Sequence, residues 1–342
     1  MGAINVGLKR RSYDQLSLLL GEDFTELHTE SGRHSATGQK WLTLRKLSEE
    51  SSTMNSALFC SCNFNDNYER ISEVLFHLYE MTVNVSNPQE SALVMNHRIS
   101  MMAHGSLLNQ FDQSMLSENR MIFIHTLFFR EDWETKFNSA LTKREIFYND
   151  NGEQLEVDMM NQEGYNKIYG SFQYNFRILF KPFHYKKLFS VIVLPRGGYN
   201  LDDVLKSFKV FVSIIEPDQM GVYFERATKI FAKLKLPKFK IYAQNDLIDP
   251  FMHYGVTDIF HRNHSDFGRM TNTNVFIGNL MQVANIAFDE EGARAEEVPS
   301  EAIEDESHKY EFYVTKPFLF FVYAPSERVV ILSAVVINPN AS

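Results

Sequence analysis

"FDEEGARAEEVPSEAIEDESHKYEF" (residues 288–312) is an acidic segment set just before the most apolar stretch of the chain. From Asp289 to Glu306 it holds nine carboxylates and one arginine, Arg294, a local charge of −8 in a chain whose total is −9. The remainder is therefore close to neutral. A run of this kind does not enter a core, because unpaired buried charges cost far too much. It is not a tail either, since two strand-like runs follow it. An exposed segment of this length within a folded chain is either functional or disordered.

Working outward, 342 residues at 44% hydrophobic content suffice for one large domain or two closely packed ones. The 29 Phe and 15 Tyr argue against disorder. A pI near 5.7 gives no general basic surface, so nucleic acid is not an expected partner. No apolar run reaches transmembrane length, so no membrane partner is expected. The opening "MGAINVGLKRRSYDQLSLLLGEDF" has no signal-peptide pattern, because its basic cluster follows the first apolar residues. The two cysteines, Cys60 and Cys62 in "ALFCSCNF", share one face of a strand by alternation. Joining them would strain an extended backbone, so buried thiols are expected. Asn84, Asn263 and Asn340 lie in N-x-S sequons, which matter only in a secreted protein.

"YERISEVLFHLYEM" (68–81) places Ile71, Val74, Leu75, Leu78 and Tyr79 at helical spacing. "SNPQESALVMNHRISMMAHGSLLNQF" (86–111) predicts another helix, with Asn87 as cap and Pro88 in its first turn. "MIFIHTLFFREDW" (121–133) predicts a central strand buried on both faces. "FSVIVLP" (189–195) predicts a strand stopped by Pro195-Arg196-Gly197-Gly198. "KIFAKLKLPKFKI" (229–241) alternates lysine with apolar residues, which predicts one strand whose lysines face water. "KPFLFFVYAPSERVVILSAVVINP" (316–339) predicts a buried hairpin. Strands and helices mix without βαβ alternation or a linker, so the fold class is α+β with no visible domain break.

Catalytic motifs are not legible: there is no G-x-S-x-G, H-E-x-x-H, C-x-x-C or P-loop. His261, His264 and Asp266 in "HRNHSDF" have a spacing that metal ligands use, but a polar surface turn is the better reading. No enzyme, metal or cofactor is expected.

A series of motifs then resembles one family. "LPKFKI" (236–241), "GVTDIF" (255–260), "SDFGRM" (265–270), "EEGARAE" (290–296), "KPFLFFV" (316–322) and "ILSAVVINP" (331–339) follow the order found in serpins. "TLFFREDWETKF" (126–137) resembles the family's AIYFKGxWxxxF and puts Trp133 on its tryptophan, and "VDMMNQEG" (157–164) resembles VPMMxQxG. The resemblance implies the serpin fold, three β-sheets with about eight helices and an exposed reactive-centre loop, here residues 289–311 of a single domain spanning 1–342. By the same comparison the chain starts in the middle of the family's second helix, without the first helix and first strand. It further implies a monomer, placed outside the cell, with a cytoplasmic placement as the alternative because no leader is legible.

The resemblance also assigns residues. His125 stands where the family usually has Asn, and Gln282 where it usually has His, so a polar bridge with exchanged partners is expected at this shutter position. Glu290, Glu291, Gly292, Ala293, Arg294, Ala295, Glu296 and Glu297 match the hinge. From Gly292 to Pro317 is 26 residues inclusive, a spacing similar to inhibitory members. That register puts the scissile bond at Glu306–Ser307, with Glu306 in the specificity-determining position and Asp305 and Lys309 as alternatives. The implied partner is a serine-type protease that accepts an acidic residue. The family implies a suicide substrate, whose cleaved loop inserts into the main sheet. Alternation would then turn Ala293, Ala295, Glu297, Pro299 and Glu301 inward. Buried carboxylates and a proline without its N–H oppose insertion, so the alternative is a non-inhibitory serpin that acts by binding.

Overall fold

The computed structural model describes residues 1–102, 109–129, 131–184, 187–207, 219–291 and 310–341. The described residues form eight α-helices: α1 (Gly2–Asn5), α2 (Arg10–Leu20), α3 (Ala36–Ser51), α4 (Asp66–Phe76), α5 (Pro88–Met102), α6 (Leu201–Ser207), α7 (Gln219–Arg226) and α8 (Ile248–His253). The strands are β1 (Ser52–Cys60), β2 (Leu78–Thr82), β3 (Arg120–Phe129), β4 (Lys143–Tyr148), β5 (Gln154–Tyr169), β6 (Phe176–Pro182), β7 (Phe189–Pro195), β8 (Thr228–Pro237), β9 (Phe239–Asp246), β10 (Phe276–Phe288), β11 (Tyr310–Tyr313), β12 (Phe318–Ala324) and β13 (Val329–Val336). Among the described residues no helix is long and apolar enough to cross a membrane.

The fold divides into two compact units, 1–128 with 243–284 and 129–242 with 285–342. Each unit takes two separate stretches of chain, so the boundary leaves no linker in the sequence.

The first unit is organised by a five-stranded sheet in the order β2-β1-β3-β10-β9. Both its faces are covered, as the unbroken apolar run of β3 predicts. Leu58, Met121, Phe123 and Leu280 face a core that includes Leu16 of α2 and Ile71 and Leu75 of α4. The alternate residues Ala57, Phe59, Ile122, Ile124 and Val283 pack with Met95 and Ile99 of α5. Two-residue alternation thus feeds two cores from the same strands. Asn87 and Pro88 do open α5, and the Ser91 N–H donates to the Asn87 carbonyl at 3.1 Å.

The second unit contains an eight-stranded sheet in the order β11-β8-β5-β6-β7-β12-β13, with β4 pairing to β5. The 16-residue β5 pairs with β4, β8 and β6 in turn, which joins the second and third expected sheets into one hydrogen-bonded whole. The predicted hairpin is present as antiparallel β12 and β13, and every residue of β12 is buried.

Three expectations are corrected. The pattern over 68–81 is a helix followed by a strand: His77 adopts φ 50, ψ 42, its N–H caps Glu73 and Ser72, and Leu78 then begins β2 beside Ser56 of β1. Residues 229–241 form two strands in different sheets, parted at Lys238, whose N–H donates to the Asp158 carbonyl at 2.8 Å. Cys60 and Cys62 form a disulfide, not two thiols. Strand β1 ends at Cys60 and the chain bends, so the Cα atoms are 5.2 Å apart, inside the usual disulfide range. Extended chain would set them about 6.7 Å apart.

Candidate functional site

Two places follow from the acidic segment: the stem that carries it, and the sheet seam formed earlier along β10. The stem is the end of β10 and the residues Asp289–Glu291, in the second unit. Phe288 anchors it in an aromatic cluster, with ring centroids 4.7 Å from Phe320, 5.0 Å from Phe239 and 5.6 Å from Trp133. Trp133 is 1% exposed and stacks on Phe183 at 5.0 Å. These rings bury large apolar area and fix where the strand must stop.

Beyond Phe288 the stem is held by polar contacts. The Trp133 indole N–H donates to the Asp289 carbonyl at 2.8 Å. The backbone N–H of Trp133 donates to Glu291 at 3.0 Å and that of Phe137 to Glu290 at 2.8 Å. A strap of residues 131–137 therefore satisfies three consecutive stem carbonyls. The Glu290 side chain, 8% exposed, accepts from the Thr142 hydroxyl at 2.6 Å and pairs with Lys238 at 2.8 Å. Burial pushes the Glu290 carboxyl up, but the bonds from Lys238 and Thr142 outweigh it and hold the group below its ordinary value. Glu291 is held more loosely, with its carboxylate 4.0 Å from Lys136. Lys136 is 3.9 Å from Asp132 as well.

The seam is the pairing of β3 with β10 in the first unit. The two strands are parallel, in register from Arg120 opposite Phe276 to Leu127 opposite Ala284, with a bulge between Ile277 and Asn279. His125 lies directly opposite Gln282. The expected bridge is not what forms. The His125 Nδ1 is 2.9 Å from the Ser56 hydroxyl on β1, and no hydrogen bond joins His125 to Gln282 among the described residues. His125 has a neighbouring strand on each side, and the hydroxyl on β1 is the partner within reach. Burial pushes its imidazole down to about 4, so it is neutral at physiological pH.

Of the residues picked out from sequence, Glu290 and Glu291 meet at the stem, and His125 and Gln282 face each other across the seam. Gly292, Ala293, Arg294, Ala295, Glu296, Glu297, Glu306 and Ser307 lie outside the described residues, as do Pro299 and Glu301. Two partners of the stem and one of the strap behind it were not foreseen. Thr142 carries no sequence signal. Lys238 was read as part of a wet face, and its signal is its place next to Pro237, where the alternation breaks. Lys181, 2% exposed, interrupts the apolar "RILFKPF" (177–183), and that interruption was its signal. His261 and His264 are exposed in a turn with rings 5.9 Å apart, as a polar surface turn requires.

With this geometry in place, comparison with known families is decisive. The profile of the family described as serpin (serine protease inhibitor) matches residues 1–339. The chain is a serpin. Antithrombin-III of Ovis aries is 24% identical to it over 290 residues, which covers 82% of this chain and 60% of that protein. This serpin thus spans about 60% of the length of the curated relatives it matches first. Among solved structures, native protease nexin-1 with heparin superposes with a TM-score of 0.84 at 19% identity, covering 99% of this chain and 89% of that one. A thyroxine-binding globulin complex with thyroxine superposes at 0.81 and 18% identity, covering 99% and 90%. At these identities the structures bear on the fold alone.

Proposed function

We propose that this serpin inhibits a serine-type protease as a suicide substrate, with residues 289–311 as its reactive-centre loop. The observation that carries the reading is the arrangement of β10. It pairs in parallel with β3, and the acidic segment leaves its C-terminal end. A segment turning back from that end and entering the seam would run antiparallel to both neighbours. One slanted parallel ladder would become two antiparallel ones, with more backbone bonds and tighter pairing. That gain is the driving force of the mechanism. The stem contacts from Trp133, Phe137, Thr142 and Lys238 keep the loop out until it is cut.

In this reading the protease cuts Glu306–Ser307 and is trapped as an acyl ester while the freed strand enters. A target with a basic specificity pocket is implied, since an acidic pocket floor would repel Glu306. The test is incubation with acid-preferring and elastase-like serine proteases, followed by denaturing electrophoresis. A complex that survives denaturation, together with cleavage at 306–307, is the expected result. Cleavage without such a complex, and without a rise in melting temperature, refutes inhibition.

A second reading rests on Glu297, Pro299 and Glu301. In the insertion register these residues face inward, where two carboxylates and a missing N–H would slow entry. Slow entry lets the ester hydrolyse, and the serpin would then act through binding. The same electrophoresis separates the two readings.

A further inference from the structure

Among the described residues of the second unit, Lys181 is the most deeply buried basic side chain that the proposed mechanism leaves unused. It sits near the end of β6, 2% exposed. Its amino group donates to the Gln162 side-chain oxygen at 2.6 Å and to the Thr135 carbonyl at 2.8 Å. It also lies 4.8 Å from the Phe137 ring centroid and 5.4 Å from that of Trp133. The Gln162 amide donates in turn to the carbonyls of Thr135 and Lys136, at 3.2 and 2.7 Å. Two side chains from neighbouring strands therefore grip the back of the strap. The front of that strap holds the stem through the N–H groups of Trp133 and Phe137.

We propose that Lys181 and Gln162 form a buried clasp that positions the strap, and through it fixes the stem of the acidic loop. Lys181 is a positioning residue: it touches no stem atom and acts through Trp133, Thr135 and Phe137. This deepens the inhibitory reading, in which stem release must precede insertion, and it rests on that reading only for its functional consequence. The choice of a lysine has a physical meaning. A leucine or methionine here would pack as well against the rings, but would leave the Gln162 side-chain oxygen without this donor and the Thr135 carbonyl with one donor fewer. The amino group supplies N–H donors to the Gln162 side-chain oxygen and the Thr135 carbonyl, and it lies over two aromatic faces.

A lysine so placed also couples the strap to protons. Burial pushes Lys181 down to about 7, while the charge of Glu134 acts in the opposite direction. The acidic and basic side chains on the elements around it are Glu131, Asp132, Glu134 and Lys136 of the strap, Glu156, Asp158, Glu163 and Lys167 of β5, Arg177 of β6, His184 after it, and Glu290 and Glu291 of the stem. An opened clasp hydrates the amine and returns it toward its ordinary value near 10.5. Between those values the open form binds more protons, so opening is favoured as pH falls toward 7 and disfavoured as pH rises.

The test is amide hydrogen exchange on the full chain, wild type against Lys181→Met, corrected for intrinsic exchange rates. The amides of Trp133 and Phe137 report the stem. The Val314 amide, which donates to the Lys235 carbonyl at 2.9 Å, is the control in the same unit. We expect exchange at Trp133 and Phe137 to rise about tenfold in the variant, with less than about twofold change at Val314. Wild-type protection at the strap should fall several-fold from pH 9 to pH 7, and Lys181→Met should flatten that profile. Unchanged strap amides, or an equal rise at Val314, would overturn the clasp. If Lys181→Met does not fold, Gln162→Leu removes the same grip from a less buried position and must give the same pattern. Loosened strap amides without any trapped protease refute inhibition and leave the clasp standing. Trapping with strap amides indifferent to both variants refutes the clasp alone.

Discussion

The stem and the seam are built on opposite plans. The stem, Asp289–Glu291, is held mostly by specific side chains and strap amides, those of Trp133, Phe137, Thr142 and Lys238. At its middle the seam relies on the backbone ladder between β3 and β10, and the one titratable group there, His125, bonds away from β10 to Ser56. A region fastened by specific contacts gives way when one of them is cut. A region fastened by a repeated ladder gives way to whatever offers a better ladder. The first plan suits a latch, the second a slot.

The largest expected effect lies at the latch. Trp133→Ala removes a 1%-exposed indole that stacks on Phe183 and caps Asp289. A loss of about 3–5 kcal/mol is expected from the cavity, measured by denaturant unfolding. The stem amides should lose protection in the same variant. Should the stem keep its protection, the tryptophan only fills space.

Next comes the slot under acid. His125 is neutral in the folded chain because burial holds it near about 4, below its ordinary value. The unfolded chain takes up a proton as pH falls through about 6.5. The folded chain resists until about 4, so stability falls across that window, by roughly 2 kcal/mol at pH 5. His125→Asn should make the decline between pH 6.5 and 4 shallower. An unchanged acid limb would mean that the imidazole titrates freely.

Glu290→Gln acts on the latch at a smaller scale. The carboxylate is buried, but its partner Lys238 is 37% exposed, so solvent screens part of the pair. About 1–2 kcal/mol is expected from the charged hydrogen bonds lost. The sign with pH is fixed by the lowered folded value. The stabilisation is present above the ordinary carboxyl range and is lost as pH falls through the folded value. Wild type and variant should therefore differ near neutrality and converge in strong acid, which thermal melts at stepped pH will check.

Both regions were partly legible in the sequence, for different reasons. The strands β3, β7, β12 and β13 were legible because apolar runs met clear turn residues. The second half of 68–81 was not, because Leu78 and Tyr79 continue the helical spacing past His77, and only the pairing of β2 with β1 overrides it. The unit boundary was invisible because each unit is discontinuous. At the stem, Glu290 and Glu291 could be found from their motif, but Lys181 could not be given a role. Its burial depends on a strap more than forty residues earlier, and a lone lysine in a strand looks the same whether wet or buried. At the seam the opposition of His125 and Gln282 was readable, since register follows from motif order. Their bond was not, because a third residue on another strand competes for the imidazole.

That competition sets the smallest predicted effect, which is also the sharpest test of the comparison. If the slot needed a polar tie between β3 and β10, Gln282→Leu would leave His125 without a partner and cost more than about 1 kcal/mol. In the structure the imidazole is already satisfied at Nδ1 by Ser56, and Gln282 contributes position, not a bond to His125. Leucine matches the apolar neighbours Leu280 and Met281 along the strand. A change within about 0.5 kcal/mol is therefore expected for Gln282→Leu, as for substitutions that break no specific contact. Ser56→Ala should cost more, because it strands a partly buried ring nitrogen. A double-mutant cycle between positions 125 and 282 should return little coupling, and one between 56 and 125 a clear one. Reversal of that order would show that β3 and β10 are tied by side chains, and the slot would then be a second latch.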